Sequence, residues 1–231
     1  MSDLVYPPVV ALAKTVFRLL DLRITVHGGE HIPREGGAVL ASNHVSYLDF
    51  IFAGFAAVPA KRLVRFMAKQ EIFANRLAGP LMRGMHHIPV DRDAGLGSYK
   101  AALAALKSGE VVGIFPEATI SQSFTVKDIK SGAERMASAA KVPLIPMALW
   151  GTQRLWTKGR PRNLFQRHLP VSIYVGEPMP PKKGDNAAEL RRRMSELLDR
   201  AQQEYPDKPS EPEDLWWLPA HLGGTAPTPG Q

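Results

Sequence analysis

Cysteine is absent from all 231 residues, which excludes a disulfide framework, a thiol nucleophile and thiolate metal sites. It leaves the redox compartment open, with a reducing one the plain expectation. Acidic residues are missing locally as well: no Asp or Glu stands between Arg135 and Gly176. Over the whole chain 29 basic residues outnumber 22 acidic ones, a net charge of +7, so the excess is concentrated. A basic face of this kind suits an anionic partner: nucleic acid, anionic lipid headgroups, a phosphorylated metabolite or an acidic carrier protein. No nucleic-acid-binding module accompanies it, so nucleic acid is not an expected partner.

Long apolar runs are missing too. Behind Pro7-Pro8, the residues Val5, Val9, Leu12, Val16 and Leu19 recur at steps of three and four, with Lys14 and Arg18 on another face. That is an amphipathic helix rising about 20 Å, whereas a spanning helix needs about 20 apolar residues. Charges inside the apolar run also set it apart from a cleavable signal peptide. Such a helix either packs on its own domain or lies on a membrane surface. There is no G-x-S-x-G elbow, no phosphate-binding G-x-x-x-x-G-K-[ST] loop and no internal repeat, and Gly95-Leu96-Gly97 is too short for a dinucleotide fingerprint. His86 and His87, as neighbours on a strand, point to opposite faces, and with no other ligand cluster no metal site is expected.

The residues that are present make an ordinary globular composition, 45% hydrophobic and 22% charged, in a chain long enough for one substantial core. Strand-like runs at 22–27, 37–41, 62–68, 87–90, 111–115, 144–149 and 171–175 alternate with helical ones at 47–57, 72–85, 98–107, 132–140 and 185–203. This predicts an α/β fold: a single domain at 22–205 with a mostly parallel or mixed central sheet flanked by helices, preceded by the N-terminal amphipathic helix at 1–21. The Pro/Gly-rich tail at 206–231 reads as disordered, except that Leu215-Trp216-Trp217-Leu218 suggests local docking on protein or on a membrane interface.

The stretch Ser42-Asn43-His44-Val45-Ser46-Tyr47-Leu48-Asp49 sits where an apolar strand gives way to a helix, a place that presents side chains at the carboxyl edge of a sheet. A neutral imidazole takes a proton from a hydroxyl near pH 7, and a carboxylate fixes its tautomer and stabilises the imidazolium. On a regular helix five residues turn by about 500°, leaving the two side chains about 140° apart. His44 and Asp49 therefore meet only if His44 precedes the helix and Asp49 lies in its first turn. A structural reading competes: Ser46-x-x-Asp49 has the form of a capping box, with Ser46 as cap and Asp49 at the positive helix end.

Four ordered blocks decide between these readings. Asn43-His44-Val45-Ser46-Tyr47-Leu48-Asp49 resembles the N-H-x-S-x-x-D signature of the glycerolipid acyltransferase family, which includes the 1-acylglycerol-3-phosphate acyltransferases. Gly84 to Arg92 resembles its second block, which closes on an Asp-Arg pair. Phe115-Pro116-Glu117-Ala118-Thr119-Ile120-Ser121 resembles the third, F-P-E-G-T-R-S, and Val142 to Ala148 the fourth, V-P-[IV]-[IV]-P-V. Together they span about residues 20 to 180.

Carried over by position, the resemblance implies His44 as general base and Asp49 as its orienting partner. Arg92 is implied as the anion-binding arginine, Glu117 as the carboxylate that orients the acceptor or holds the site's basic residues, and Thr119 and Lys130 as further substrate contacts. Phe115 and Pro116 are expected to shape the turn. The implied reaction moves a fatty acyl group from acyl-CoA or acyl carrier protein to a hydroxyl of lysophosphatidic acid, at the cytoplasmic face of a membrane, with no metal or redox cofactor. Glycerol-3-phosphate, another lysophospholipid or a glycolipid are alternative acceptors, and a catalytically inactive membrane-surface binding protein is the alternative of another class.

Two positions depart from the pattern. Ala118 replaces the usual glycine, so a positive φ there is not expected without strain. Ile120 replaces an arginine thought to contact the acceptor phosphate, and Lys127 or Lys130 would then replace the lost charge. The run Trp150, Arg154, Trp156, Lys158, Arg160, Arg162, Arg167 interleaves aromatic and basic residues that suit lipid headgroups or the nucleotide phosphates of coenzyme A, unless it is simply a solvated loop.

Overall fold

The structure, a computed structural model, describes residues 3–91, 95–182, 186–209 and 211–228. Seven strands form one mixed sheet: β1 (Arg23–His27), β2 (Ala38–Ser42), β3 (Val64–Lys69), β4 (Ile88–Val90), β5 (Val111–Ile114), β6 (Leu144–Trp150) and β7 (Pro170–Val175). Their order across the sheet is β1-β7-β6-β2-β5-β3-β4. Every pairing is parallel except β6 with β7, which is antiparallel. The central strands β2 and β6 are buried at every residue, as strands covered on both faces must be, whereas the edge strand β1 has no fully buried residue.

Helices cover both faces. On one lie α1 (Tyr6–Leu19) and α2 (Asp49–Ala56), with Phe17 stacked on Phe52 at 4.9 Å over a layer that includes Leu40, Ile145 and Ile173. On the other lie α5 (Gly95–Lys107), α6 (Gly132–Ala140) and α7 (Ala187–Gln203). Leu190, Met194, Leu198 and Ala201 recur at helical spacing along the buried face of α7. Its opposite face carries the Glu189–Arg193 and Arg200–Glu204 pairs one turn apart.

The helix expected over 72–85 is two helices, α3 (Gln70–Ala74) and α4 (Ala78–Gly84). Asn75 causes the break: its Oδ1 accepts the N–H groups of Leu77 at 2.9 Å and Ala78 at 3.0 Å, satisfying donors that open the second helix. Pro80 falls in that helix's first turn, where a missing N–H costs nothing. His86 and His87 precede β4 instead of lying in it. His87 is buried, and its Nδ1 accepts the Phe66 N–H at 3.0 Å.

The N-terminal segment packs mainly through its start, and the later members of the apolar series that marked it stay outside. Tyr6 is buried with its hydroxyl donating to Val64 O at 2.9 Å, and Asp3 pairs with the buried Arg65. Leu12, Val16 and Leu19 are exposed, Leu19 by 68%. In the tail, Pro212–Trp217 forms a 3-10 helix whose Trp217 is buried against Trp150 and Tyr205.

Candidate active site

Because β2, β5 and β6 are parallel neighbours, the loops leaving their carboxyl ends converge at one edge of the sheet. The first loop is 43–48. Asn43 is fully buried and clamps the loop to β6, donating from Nδ2 to Leu149 O at 3.1 Å and accepting the Leu149 N–H on Oδ1 at 2.7 Å. Its amide continues the ladder while the chain turns away, so His44 leaves the sheet at a fixed point.

Asp49 is the first residue of α2 and its side chain is fully buried. Its Oδ2 accepts the N–H groups of Val45 and Ser46, each at 2.7 Å, and faces His44 Nδ1 at 2.9 Å. Its Oδ1 accepts the Thr152 hydroxyl at 2.6 Å. A carboxylate offers only acceptors, so the imidazole carries its proton on Nδ1, and Nε2 holds the free lone pair. The His44 side chain is 21% exposed, open enough to meet a substrate hydroxyl. The loop-then-first-turn arrangement that the five-residue spacing requires is the one found. Ser46 is not the helix cap: its hydroxyl donates to Trp156 O at 2.7 Å and accepts the Leu48 N–H at 3.1 Å. The reaching-back half of a capping box survives in the bonds from Asp49 to Val45 and Ser46.

The loop after β5 braces the other side of His44. Glu117 is buried, and its two oxygens accept the backbone N–H of His44 at 2.8 Å and of Lys127 at 3.0 Å. Burial pushes its carboxyl from the usual 4.5 up to about 7, against the pull of those two hydrogen bonds. Ser121 N–H donates to His44 O at 2.7 Å. Phe115 does more than shape the turn: its ring stacks on the His44 imidazole at 4.4 Å and fixes the ring plane. Ala118 adopts φ +59°, so the left-handed conformation that glycine would accept freely is imposed on an alanine. It is the last residue of a tight turn closed by the Ala118 N–H donating to Phe115 O at 3.0 Å.

The remaining predicted residues divide. Thr119 is exposed and accepts a hydrogen bond from Lys127 Nζ at 2.5 Å. Lys130 is exposed one loop turn away, tied through its N–H to Pro116 O at 3.0 Å. Ile120 is buried at 7% exposure, an apolar anchor where an arginine was the expectation. Arg92 lies outside the described residues. Thr152 was missed by sequence reasoning, since nothing but the adjacency of β6 to β2 brings it to Asp49. Trp150, one of the interleaved aromatics, is fully buried in the core and meets no partner surface.

Comparison with known proteins bears on the family of the chain. An acyltransferase family model matches residues 23–150, which hold His44, Asp49, Glu117 and β6. The 1-acyl-sn-glycerol-3-phosphate acyltransferase of Bacillus subtilis is 32% identical over 193 residues, covering 80% of this chain and 94% of that protein. The enzyme of the same name from Limnanthes douglasii is 31% identical over 163 residues, 67% of this chain but 56% of that protein. The crystal structure of the 1-acyl-sn-glycerophosphate (LPA) acyltransferase PlsC from Thermotoga maritima superposes with a TM-score of 0.68 at 27% identity, covering 89% of this chain and 81% of that one. With more than half of its length inside the family match, and the His44–Asp49 turn within it, the chain belongs to the acyltransferase family.

Proposed function

We propose that the protein transfers a fatty acyl group from a thioester of coenzyme A or acyl carrier protein to the free hydroxyl of lysophosphatidic acid. The observation that carries this reading is the buried Asp49 carboxylate holding His44 Nδ1 and leaving Nε2 free at the rim. His44 Nε2 removes the hydroxyl proton as the oxygen attacks the thioester carbonyl, and the Asp49 charge stabilises the imidazolium formed. The tetrahedral adduct collapses by breaking the carbon–sulfur bond, and the imidazolium returns its proton to the departing thiolate. The names of the Bacillus subtilis and Limnanthes relatives support lysophosphatidic acid as acceptor.

Lys130, with Arg92, holds the acceptor phosphate in this reading, since Lys130 stands exposed on the loop that Glu117 ties to His44. The protein works at the cytoplasmic face of a membrane as a peripheral or monotopic enzyme. Supporting this, Leu12, Val16 and Leu19 of α1 are exposed, as are Ile72 and Leu77 near α4, against whose Gly84 Val5 packs. Among the described residues no helix is long and apolar enough to cross a membrane. The buried Ile120 favours testing glycerol-3-phosphate, other lysophospholipids and a glycolipid beside lysophosphatidic acid. Labelled acyl-CoA and acyl carrier protein offered with each acceptor, followed by positional analysis of the product, test the reading. Product from lysophosphatidic acid supports it, and product from another acceptor alone overturns it.

A further inference from the structure

Several cations of the acid-free run have no carboxylate partner among the described residues. Within that run Arg154 is paired, with Asp207; outside it Arg65 pairs with Asp3 and Glu110, and Arg192 and Arg200 with glutamates along α7 and at its end. Lys158, Arg160, Arg162 and Arg167 have no carboxylate partner among the described residues. Two of them lie over aromatic rings: the Arg160 guanidinium is 5.1 Å from the Trp216 centroid, and that of Arg162 is 4.3 Å from the Trp156 centroid. Trp156 leads directly to the catalytic turn. Its ring lies 4.7 Å from that of Tyr47, and its carbonyl accepts the Ser46 hydroxyl at 2.7 Å.

Between this ridge and the tail lies a cleft of about 210 Å³ whose lining includes Gln122, Phe124, Lys158, Arg160 and Trp216, and no acidic residue. Arg160 and Trp216 also wall a neighbouring cleft of about 240 Å³, where Asp214 and Arg154 contribute. The first cleft is close to the reacting end of the site by two routes. Gln122 follows Ser121, whose N–H donates to His44 O. Arg160 stands four residues from Trp156, at most about 14 Å of extended backbone.

We propose that this cleft binds the phosphorylated adenosine end of coenzyme A, which makes acyl-CoA the acyl donor and rests on the acyltransferase reading above. A concave site with a tryptophan face, a stacked guanidinium and a free ammonium matches a planar base joined to phosphates. A carrier protein would meet the ridge only from outside, without filling the cleft. The pantetheine arm then runs along Trp156 and Tyr47 and delivers the thioester to His44. The tail, through Trp216, becomes part of the donor site.

Two measurements on the full chain test this. Calorimetric titration with adenosine 3′,5′-bisphosphate is expected to show binding that weakens about tenfold in Arg160→Ala, the scale of one lost charge-assisted hydrogen bond. Arg160 is exposed, so the substitution does not threaten the fold. In the transfer assay, Arg160→Ala and Lys158→Ala are expected to raise KM for acyl-CoA with kcat unchanged. On S-acyl-pantetheine, which lacks the nucleotide, the same variants are expected to lose less than twofold in kcat/KM. An equal loss on both donors overturns the proposal, as do absent bisphosphate binding, a loss seen only with acyl carrier protein, or a loss only of binding to anionic vesicles. Bisphosphate binding that depends on Arg160 in a protein that acylates none of the acceptors upholds the cleft and overturns the proposed acceptor chemistry instead.

Discussion

The Thr152 hydroxyl donates to Asp49 Oδ1 at 2.6 Å, across 103 residues of sequence, and is the fourth donor to a carboxylate with no solvent contact. The division of labour between the two oxygens is informative. Oδ2 takes the three N–H groups of His44, Val45 and Ser46, and Oδ1 takes only a hydroxyl, which can itself accept. An asparagine at this position can therefore place its oxygen at Oδ2 and donate from its amide nitrogen to Thr152 Oγ1, keeping every bond while losing the charge. Asp49→Asn is expected to fold with stability within about 1 kcal/mol of the parent and to lose on the order of 100-fold in kcat, since the imidazolium formed as His44 takes the proton loses its counter-charge. Thr152→Val should do the opposite, costing about 1–3 kcal/mol by urea denaturation and less in rate. A large stability loss in Asp49→Asn with a preserved rate would return this residue to the role of helix support.

Glu117 predicts a pH signature. Its carboxyl titrates near 7 when folded and near 4.5 in an ordinary setting, because burial disfavours the charge. The folded protein thus holds this proton more tightly than the unfolded chain. The associated stability is full below pH 4.5 and lost as pH rises through 7, up to about 3 kcal/mol. Glu117→Gln removes the titration and one of the two amide contacts. It should be less stable than the parent at pH 5, with the gap closing or reversing by pH 8 in denaturant melts. A gap of constant size across that range contradicts the assignment.

Ala118 stores a small strain. The left-handed conformation costs an L-residue about 1–2 kcal/mol, while glycine loses about 0.4–1 kcal/mol more backbone entropy on folding. Ala118→Gly should therefore stabilise by about 0.5 kcal/mol, a rise of roughly 1–2 °C in Tm. A fall in Tm would show that the alanine methyl has compensating contacts.

Membrane attachment is better tested by substitution than by removing residues 1–21, because that truncation also deletes Tyr6 and the Asp3 partner of buried Arg65. The triple change Leu12→Ser, Val16→Ser, Leu19→Ser alters exposed side chains only. It should leave the thermal melt within a degree or two and weaken sedimentation with anionic vesicles at least tenfold, given about 1.5–3 kcal/mol per buried aliphatic side chain. Unchanged sedimentation counts against this face.

Much of this was legible in one sequence because it depends on local pattern. Apolar runs and Gly/Pro punctuation marked all seven strands, and the five-residue step from His44 to Asp49 already required a loop followed by a first helical turn. The features that stayed hidden depend on what lies beside what. Thr152 reaches Asp49 only because β6 pairs with β2, and Phe115 finds the His44 ring only because β5 does. Asn75 could have been read as a break in the 72–85 pattern, since Asn followed by Pro80 signals a new helix start. The αL state of Ala118 ran against its residue type, so residue preference pointed away from it. In α1 the apolar periodicity was real, yet Tyr6 and Phe17 took the packing and left the leucines outside.

The central claim is that His44 is the general base of acyl transfer. The direct test is the rate of transfer to lysophosphatidic acid by His44→Ala at saturating acyl-CoA, beside a thermal melt. The expected result is a folded protein whose kcat falls by about 10²–10⁴, the range for losing a positioned general base. A folded His44→Ala protein that retains kcat within about threefold of the parent would contradict it.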